Sequence, residues 1–218
     1  MIQSKRKFGG PSIFAAFSSA VSTVQKLSFL ADASDWNGTD LSMGDATLSQ
    51  PTPSLRPAVA GDRLVFDGDY LSTANPDLID LAESGEVEIS LIYRPNALAN
   101  GFPFSFGDTS TNSDNAIQFY ALSNGQIRVF IDGTTGSGSK SFTTSMAPMV
   151  VGQDYLITII MSGGFFTMRV NGIEVISNSA ITGSPPIDMD IFTIGARRGS
   201  SANTFCNGEI AMIEVREI

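Results

Sequence analysis

Apolar and polar residues alternate in short runs from residue 61 onward, and glycine or Asn-Gly and Asp-Gly pairs separate the runs. Glu86–Tyr93 shows the pattern most clearly. Val87, Ile89, Leu91 and Tyr93 fall on one face of an extended chain, and Glu86, Glu88, Ser90 and Ile92 on the other. Arg63–Phe66 and Tyr70–Ser72 flank Asp67-Gly68-Asp69, and Phe102–Phe106, Ala116–Leu122, Gln126–Ile131 and Lys140–Thr144 follow. Polar stretches at 107–115 and 132–139 read as exposed loops between them. Tyr155–Ser162, Phe165–Val170, Glu174–Ser177, Phe192–Gly195 and Phe205–Val215 complete the series, with Asn171-Gly172 placed to close a two-residue hairpin. The periodicity predicts an all-β fold of antiparallel strands.

The first 60 residues have a different texture. In Ile13–Val24, Phe14, Phe17, Val21 and Val24 recur at helical spacing behind Gly9-Gly10-Pro11-Ser12, although the many Ser and Thr residues are mediocre helix formers. Its apolar stripe needs something to pack on, either its own sandwich or a neighbouring subunit. Residues 31–60 carry Gly38, Gly44, Pro51, Pro53 and Pro57 and read as a loop-like linker. The expected organisation is an extended or partly helical N-terminal anchoring arm and linker over 1–60, then one sandwich over 61–218.

Charge sharpens that division. Residues 1–31 contain Lys5, Arg6, Lys7 and Lys26 and no acid; of the chain's 13 bases and 22 acids, this leaves nine bases against 22 acids, or −13, for the remainder. So acidic a body is a poor nucleic-acid binder, because phosphate contacts need cations. No run of about 18 apolar residues suggests membrane insertion. Residues 5–33 imitate a secretory signal, but serines and threonines interrupt the apolar core, so an uncleaved leader is expected.

The residue inventory removes most chemistry. There is one cysteine, Cys206, and no histidine, so disulfides within the chain and Cys/His zinc sites are excluded, and a serine nucleophile lacks its usual base. Cys206 reads as a small buried hydrophobe. Glu86 and Glu88 share a strand face at about 6.5–7 Å, within the range glycosidases use, but a solvated strand face is the simpler account. No catalytic residue is assigned, and the chain is not expected to be an enzyme.

The pieces Leu64-Val65-Phe66-Asp67-Gly68, Tyr70-Leu71-Ser72, Glu86–Arg94, Tyr155–Ser162, the hairpin over Asn171-Gly172, Phe192-Thr193-Ile194-Gly195 and Phe205-Cys206-Asn207-Gly208-Glu209-Ile210 occur in an order that resembles a known family. Asp62–Ile218 resembles the laminin G-like branch of the concanavalin A-like lectin/glucanase superfamily. The resemblance implies an antiparallel two-sheet jelly-roll sandwich that binds or scaffolds more often than it catalyses. The Glu-x-Asp-x-x-Glu arrangement of the superfamily's glucanases is absent. Met1–Pro11, then Pro53-Ser54-Leu55-Arg56-Pro57 and Phe66-Asp67-Gly68, resemble tailed-bacteriophage and prophage structural proteins in which a short leader precedes such a domain.

Those resemblances imply a non-enzymatic virion protein (a decoration, collar, tail or fibre component), with weak adhesion to host-surface polysaccharide as an added role. The alternative is a secreted or surface carbohydrate-binding module. Expected partners are other virion proteins, reached through Lys5, Arg6, Lys7, Phe8, Phe14 and Phe17, and further copies of the chain. Laminin G-like folds often bind Ca2+ at one rim, and Asp67, Asp69 and Asp114 are loop oxygens of the right type. Trp36, Asn112, Asn115, Arg197 and Arg198 are the selected glycan-binding candidates, with Phe102, Phe104 and Tyr120 as further aromatics. For most of these aromatics, filling the core is the simpler reading.

Overall fold

A computed structural model describes residues 27–110, 115–133, 140–145, 148–181, 186–198 and 202–218. Its strands are β1 (Ser28–Asp32), β2 (Asp40–Met43), β3 (Ala46–Ser49), β4 (Ala58–Ala60), β5 (Arg63–Asp67) and β6 (Leu71–Thr73). An α-helix, α1 (Pro76–Glu83), follows, and short 3-10 turns at Ala33–Asp35 and Pro53–Leu55 precede it. Then come β7 (Val87–Pro95), β8 (Gly101–Gly107), β9 (Ala116–Ala121), β10 (Ile127–Asp132), β11 (Lys140–Thr143) and β12 (Tyr155–Ser162). The series ends with β13 (Phe165–Val170), β14 (Ile173–Ala180), β15 (Ile191–Ile194), β16 (Ala196–Arg198), β17 (Ala202–Phe205) and β18 (Asn207–Glu217).

Two antiparallel sheets face each other. The first runs β14-β13-β12-β7-β18-β5-β4, with β1 also on β18, and the second runs β11-β10-β9-β8-β15-β6-β3-β2. The length of β18 explains the extra partner: Asn207–Ile210 pair with β5, and Met212–Arg216 pair with β1. Inward residues of both sheets form one core, in which Phe104, Phe106, Phe119 and Phe192 cluster and Phe142 stacks on Phe166 at 4.3 Å between the sheets. This is the expected all-β two-sheet sandwich. Among the described residues no helix is long and apolar enough to cross a membrane.

The stretch 31–60 departs from the linker reading. Phe29 and Ala31 of β1 are buried against β18, and Leu41, Met43, Ala46 and Leu48 of β2 and β3 are buried in the second sheet. The prolines and glycines that suggested a linker sit at the turns between short strands. Gly44 (φ 59°), for example, closes the β2–β3 hairpin. The sandwich therefore takes in Ser28–Ala60, and β1 begins within the segment read as arm.

Helix α1 also lies outside the sequence reading. Asn75 caps it by accepting a hydrogen bond from Leu78 N–H, Pro76 opens its first turn, and Leu78, Ile79, Leu81 and Ala82 are buried. At Asn171-Gly172 both residues have positive φ (52° and 79°), as a two-residue hairpin turn requires. The anchoring candidates Lys5, Arg6, Lys7, Phe8, Phe14 and Phe17 lie outside the described residues.

Candidate saccharide-binding cleft

Alternation along β9 and β10 builds a surface on the outer face of the second sheet. Ile117, Phe119, Ile127, Val129 and Ile131 point into the core, so Gln118 and Tyr120 on β9 and Arg128 and Phe130 on β10 project outward. The register places Arg128 opposite Tyr120 and Phe130 opposite Gln118. The β16–β17 ribbon closes one side. Its Ala196 carbonyl accepts a hydrogen bond from Ser105 Oγ, on the outer face of β8, at 3.1 Å. Outward-facing Thr193 is fully buried.

The resulting cleft of about 190 Å3 is lined by Phe102, Gln118, Tyr120, Arg128, Phe130 and Arg197. Phe102 and Tyr120 stack with centroids 4.5 Å apart and an 18° interplanar angle. The Arg197 guanidinium lies 6.0 Å from the Phe102 ring centroid, within reach of a cation–π contact. Arg128 Nε donates to Thr143 Oγ1 at 3.1 Å, which fixes its direction along the strand surface. Aromatic faces accept the apolar face of a sugar ring, guanidinium groups bind carboxylates or sulfates in a fork, and the Gln118 amide offers both donor and acceptor. Larger grooves of about 520 and 460 Å3 flank Leu27; among the described residues they are lined by Glu214, Arg216 and Glu217 and by Asp77, Asp80, Glu86 and Glu217 respectively, with no aromatic. The described residues there offer no stacking platform.

The other sequence candidates disperse. Trp36 packs against the core beside a bridge to Leu41, away from the cleft. Asn115 has φ 54° and an amide oxygen that is buried without a hydrogen-bond partner, but does not line the cleft. Asn112 and Asp114 lie outside the described residues, and Arg198 is described only as a backbone position in β16. Phe104 fills the core, as the simpler reading expected. Gln118, Arg128 and Phe130 were missed, although period-two alternation in Ala116–Leu122 and Gln126–Ile131 marks all three as outward positions.

The loop carboxylates form no described metal cluster. Asp67 accepts a 3.4 Å hydrogen bond from Asn207, and partial burial, with Asp67 nearby, pushes the Asp69 carboxyl above its ordinary range. Among the described residues no group of three or more His, Cys, Asp or Glu side chains is placed to hold a metal. The glutamates considered for catalysis have structural partners. Glu86 accepts from Ser162 Oγ and Gly163 N–H, both at 2.7 Å, and these bonds hold its carboxyl below the usual range. Glu88 pairs with Arg216 at 2.6 Å. Burial pushes the Cys206 thiol up to about 12 and, with Cys206 3.8 Å away, also raises the Tyr93 hydroxyl.

The fold is thus a two-sheet antiparallel sandwich with an aromatic and basic cleft on the outer face of one sheet. A laminin G family model, described as the concanavalin A-like lectin/glucanases superfamily, matches residues 67–216, and the chain belongs to that family. A search of curated proteins finds no match. Among solved structures, a variant of NanB sialidase from Streptococcus pneumoniae is similar at TM-score 0.60 and 19% identity, over 73% of this chain and 26% of that one. The CBM40 of Ruminococcus gnavus IT-sialidase is similar at TM-score 0.52 and 16% identity, over 63% of this chain and 78% of that one. The same CBM40 bound to α2,3-sialyllactose gives TM-score 0.51. The chain spans about a quarter of the NanB sialidase, and these likenesses extend to the fold alone.

Proposed function

We propose that this protein is a non-enzymatic carbohydrate-binding module whose ligand is an acidic saccharide, held in the cleft on the outer face of the second sheet. The observation that carries the reading is the convergence of the stacked Phe102–Tyr120 pair with Arg128 and Arg197 in an otherwise acidic body. One sugar ring would lie against Tyr120 and Phe130, with its anionic group toward the two guanidinium groups. Similarity to a CBM40 bound to α2,3-sialyllactose supports a saccharide with a carboxylate. The engagement of Glu86 and Glu88 in turn and strand contacts supports binding without hydrolysis.

The proposal extends to a place on a bacteriophage particle, with basic Lys5, Arg6 and Lys7 contacting other virion proteins and the sandwich displayed outward. The leader's resemblance to phage structural proteins supports that part. The test of the saccharide reading is affinity electrophoresis and calorimetry of the full chain against sialylated, uronate-containing and neutral polysaccharides. Retardation by acidic polymers, weakened in Tyr120→Ala and Arg197→Gln and accompanied by no change in polymer length, is expected. Equal retardation by neutral polymers would remove the arginines' assigned role, and release of shorter products would overturn the non-enzymatic reading.

A further inference from the structure

Two glutamines, Gln50 and Gln118, are buried among the described residues, and the chain satisfies only the first. Gln50 Nε2 donates to the Tyr70 carbonyl at 3.4 Å, and its Oε1 accepts from Thr52 N–H at 3.0 Å. Gln118 lies on the outer face of β9 with 4% of its surface exposed, opposite Phe130 of β10 and Ser105 of β8, and it lines the cleft. Among the described residues none hydrogen-bonds its side-chain amide. Its polar neighbours are engaged elsewhere: Ser105 Oγ donates to the Ala196 carbonyl and Arg128 Nε to Thr143 Oγ1, both at 3.1 Å. An unpaired amide between aromatic walls destabilises the free protein, and a ligand that supplies the missing partner recovers that loss on binding.

Building on the acidic-saccharide reading of the cleft, we propose that Gln118 recognises an acetamido group, which narrows the ligand class to N-acetylated sugar acids. A carboxamide and an acetamido group are complementary at two points. The acetamido N–H donates to Gln118 Oε1, and the acetamido carbonyl accepts from Gln118 Nε2. Phe130, directly opposite Gln118, gives the acetamido methyl an apolar wall that a hydroxyl in the same place would not use. Depth favours the same group. Tyr120 and Phe130 are half-buried, whereas Gln118 is almost fully buried, so a ring resting on the aromatic side chains reaches the floor through a projecting substituent. A ring hydroxyl ends one bond from the ring, and an acetamido group extends well beyond that.

The strand register places this group beside the acid. Arg128 lies opposite Tyr120, so Arg128 and Gln118 are diagonal neighbours on β10 and β9, about 7–8 Å apart. With its Nε bound to Thr143, Arg128 offers its terminal nitrogens to the anion. One sugar unit carrying a carboxylate and an acetamido group at separate positions engages both residues at once. A plain uronate engages the arginines and leaves Gln118 unpaired.

Calorimetry of the full-length protein with the methyl α-glycosides of N-acetylneuraminic acid and of 2-keto-3-deoxynononic acid tests the assignment, because the second sugar differs only in carrying a hydroxyl in place of the acetamido group. The acetamido sugar is expected to bind at least about tenfold more tightly, the effect of a matched hydrogen-bond pair. In Gln118→Met the two affinities should become nearly equal. The variant's melting temperature should stay at or above the parent's, since methionine removes an unpaired amide at similar volume. Equal affinity for the two sugars in the native protein would overturn the acetamido assignment and leave the acidic-saccharide reading standing. An undiminished preference in Gln118→Met would overturn it too, as would a melting temperature several degrees lower, which would make the amide a structural group. Binding of a uronate oligosaccharide but of neither glycoside would likewise overturn this assignment alone. Binding of none of the three at millimolar concentration would overturn the acidic-saccharide reading, and this assignment with it.

Discussion

Phe29→Ala tests whether the segment before residue 61 belongs to the body of the fold. Phe29 lies in β1 opposite Val215 of the central strand β18, with 1% of its surface exposed. Truncating a buried phenylalanine removes its transfer free energy and leaves a cavity, a combined cost of about 3–5 kcal/mol. Leu48→Ala in β3, at 0% exposure, makes the same test in the second sheet and costs about 2–5 kcal/mol. Val59→Ala in β4 is the control, because Val59 is 56% exposed and a surface change costs about 0.5 kcal/mol or less. The assay is urea denaturation followed by far-ultraviolet circular dichroism, with melting temperature as a second readout. For a domain of this size, each kcal/mol corresponds to roughly 2–4 °C. Phe29→Ala should thus melt at least about 6 °C below the parent and Leu48→Ala at least about 4 °C below, with Val59→Ala close to it. If Phe29→Ala and Leu48→Ala both stay within about 0.5 kcal/mol of the parent, residues 28–60 are a linker and the sandwich is wrongly bounded.

Other consequences concern particular backbone and side-chain environments. Gly172→Ala should cost about 1–2 kcal/mol, since its φ of 79° is strained for alanine but nothing lies within 4 Å of the added carbon. Gly195→Ala should cost about 2–5 kcal/mol, because the same strain is joined by a clash with the Phe66 ring and an approach of 2.7 Å to the Asp69 carbonyl; equal melting temperatures for the two variants would refute the difference. Cys206 should resist a soluble disulfide reagent in the native protein and react fully in denaturant. Its thiol is held neutral up to about 12 in the folded state against an ordinary value of 9.0, so the unfolded chain releases its proton first. Stability should therefore fall as pH rises from 9.0 toward about 12, and Cys206→Ala should flatten part of that slope, with Tyr93 contributing in the same direction. A denaturation midpoint unchanged across this range would contradict the buried thiol.

The strands that the sequence made legible are those with period-two alternation and marked turns. Val87, Ile89, Leu91 and Tyr93 all point inward as their spacing requires, and Asn171-Gly172 turns where its residue types demand. β2, β3 and β4 were hidden because they are only three or four residues long, too short to establish a period among so many prolines and glycines. Helix α1 did have a readable signal, the Asn75 cap followed by Pro76 and the apolar positions Leu78, Leu81 and Ala82, yet eight residues give little more than two turns of periodicity. The cleft was half legible. Arg197, Phe102 and Tyr120 were recognisable by type, whereas Arg128 and Phe130 acquire meaning only through the register that sets β10 beside β9. Trp36 shows the converse: residue type alone suggests a sugar platform, and packing against the core places it elsewhere.

The most direct test of the account is chemical-shift mapping of the full-length protein as an α2,3-sialylated oligosaccharide is added. Saturable shifts concentrated at Phe102, Gln118, Tyr120, Arg128, Phe130 and Arg197, lost in an Arg128→Gln/Arg197→Gln variant whose other signals are unchanged, are the predicted result. Saturable shifts located instead around Trp36 or the grooves beside Leu27, or no shifts with any acidic saccharide at millimolar concentration, would contradict it.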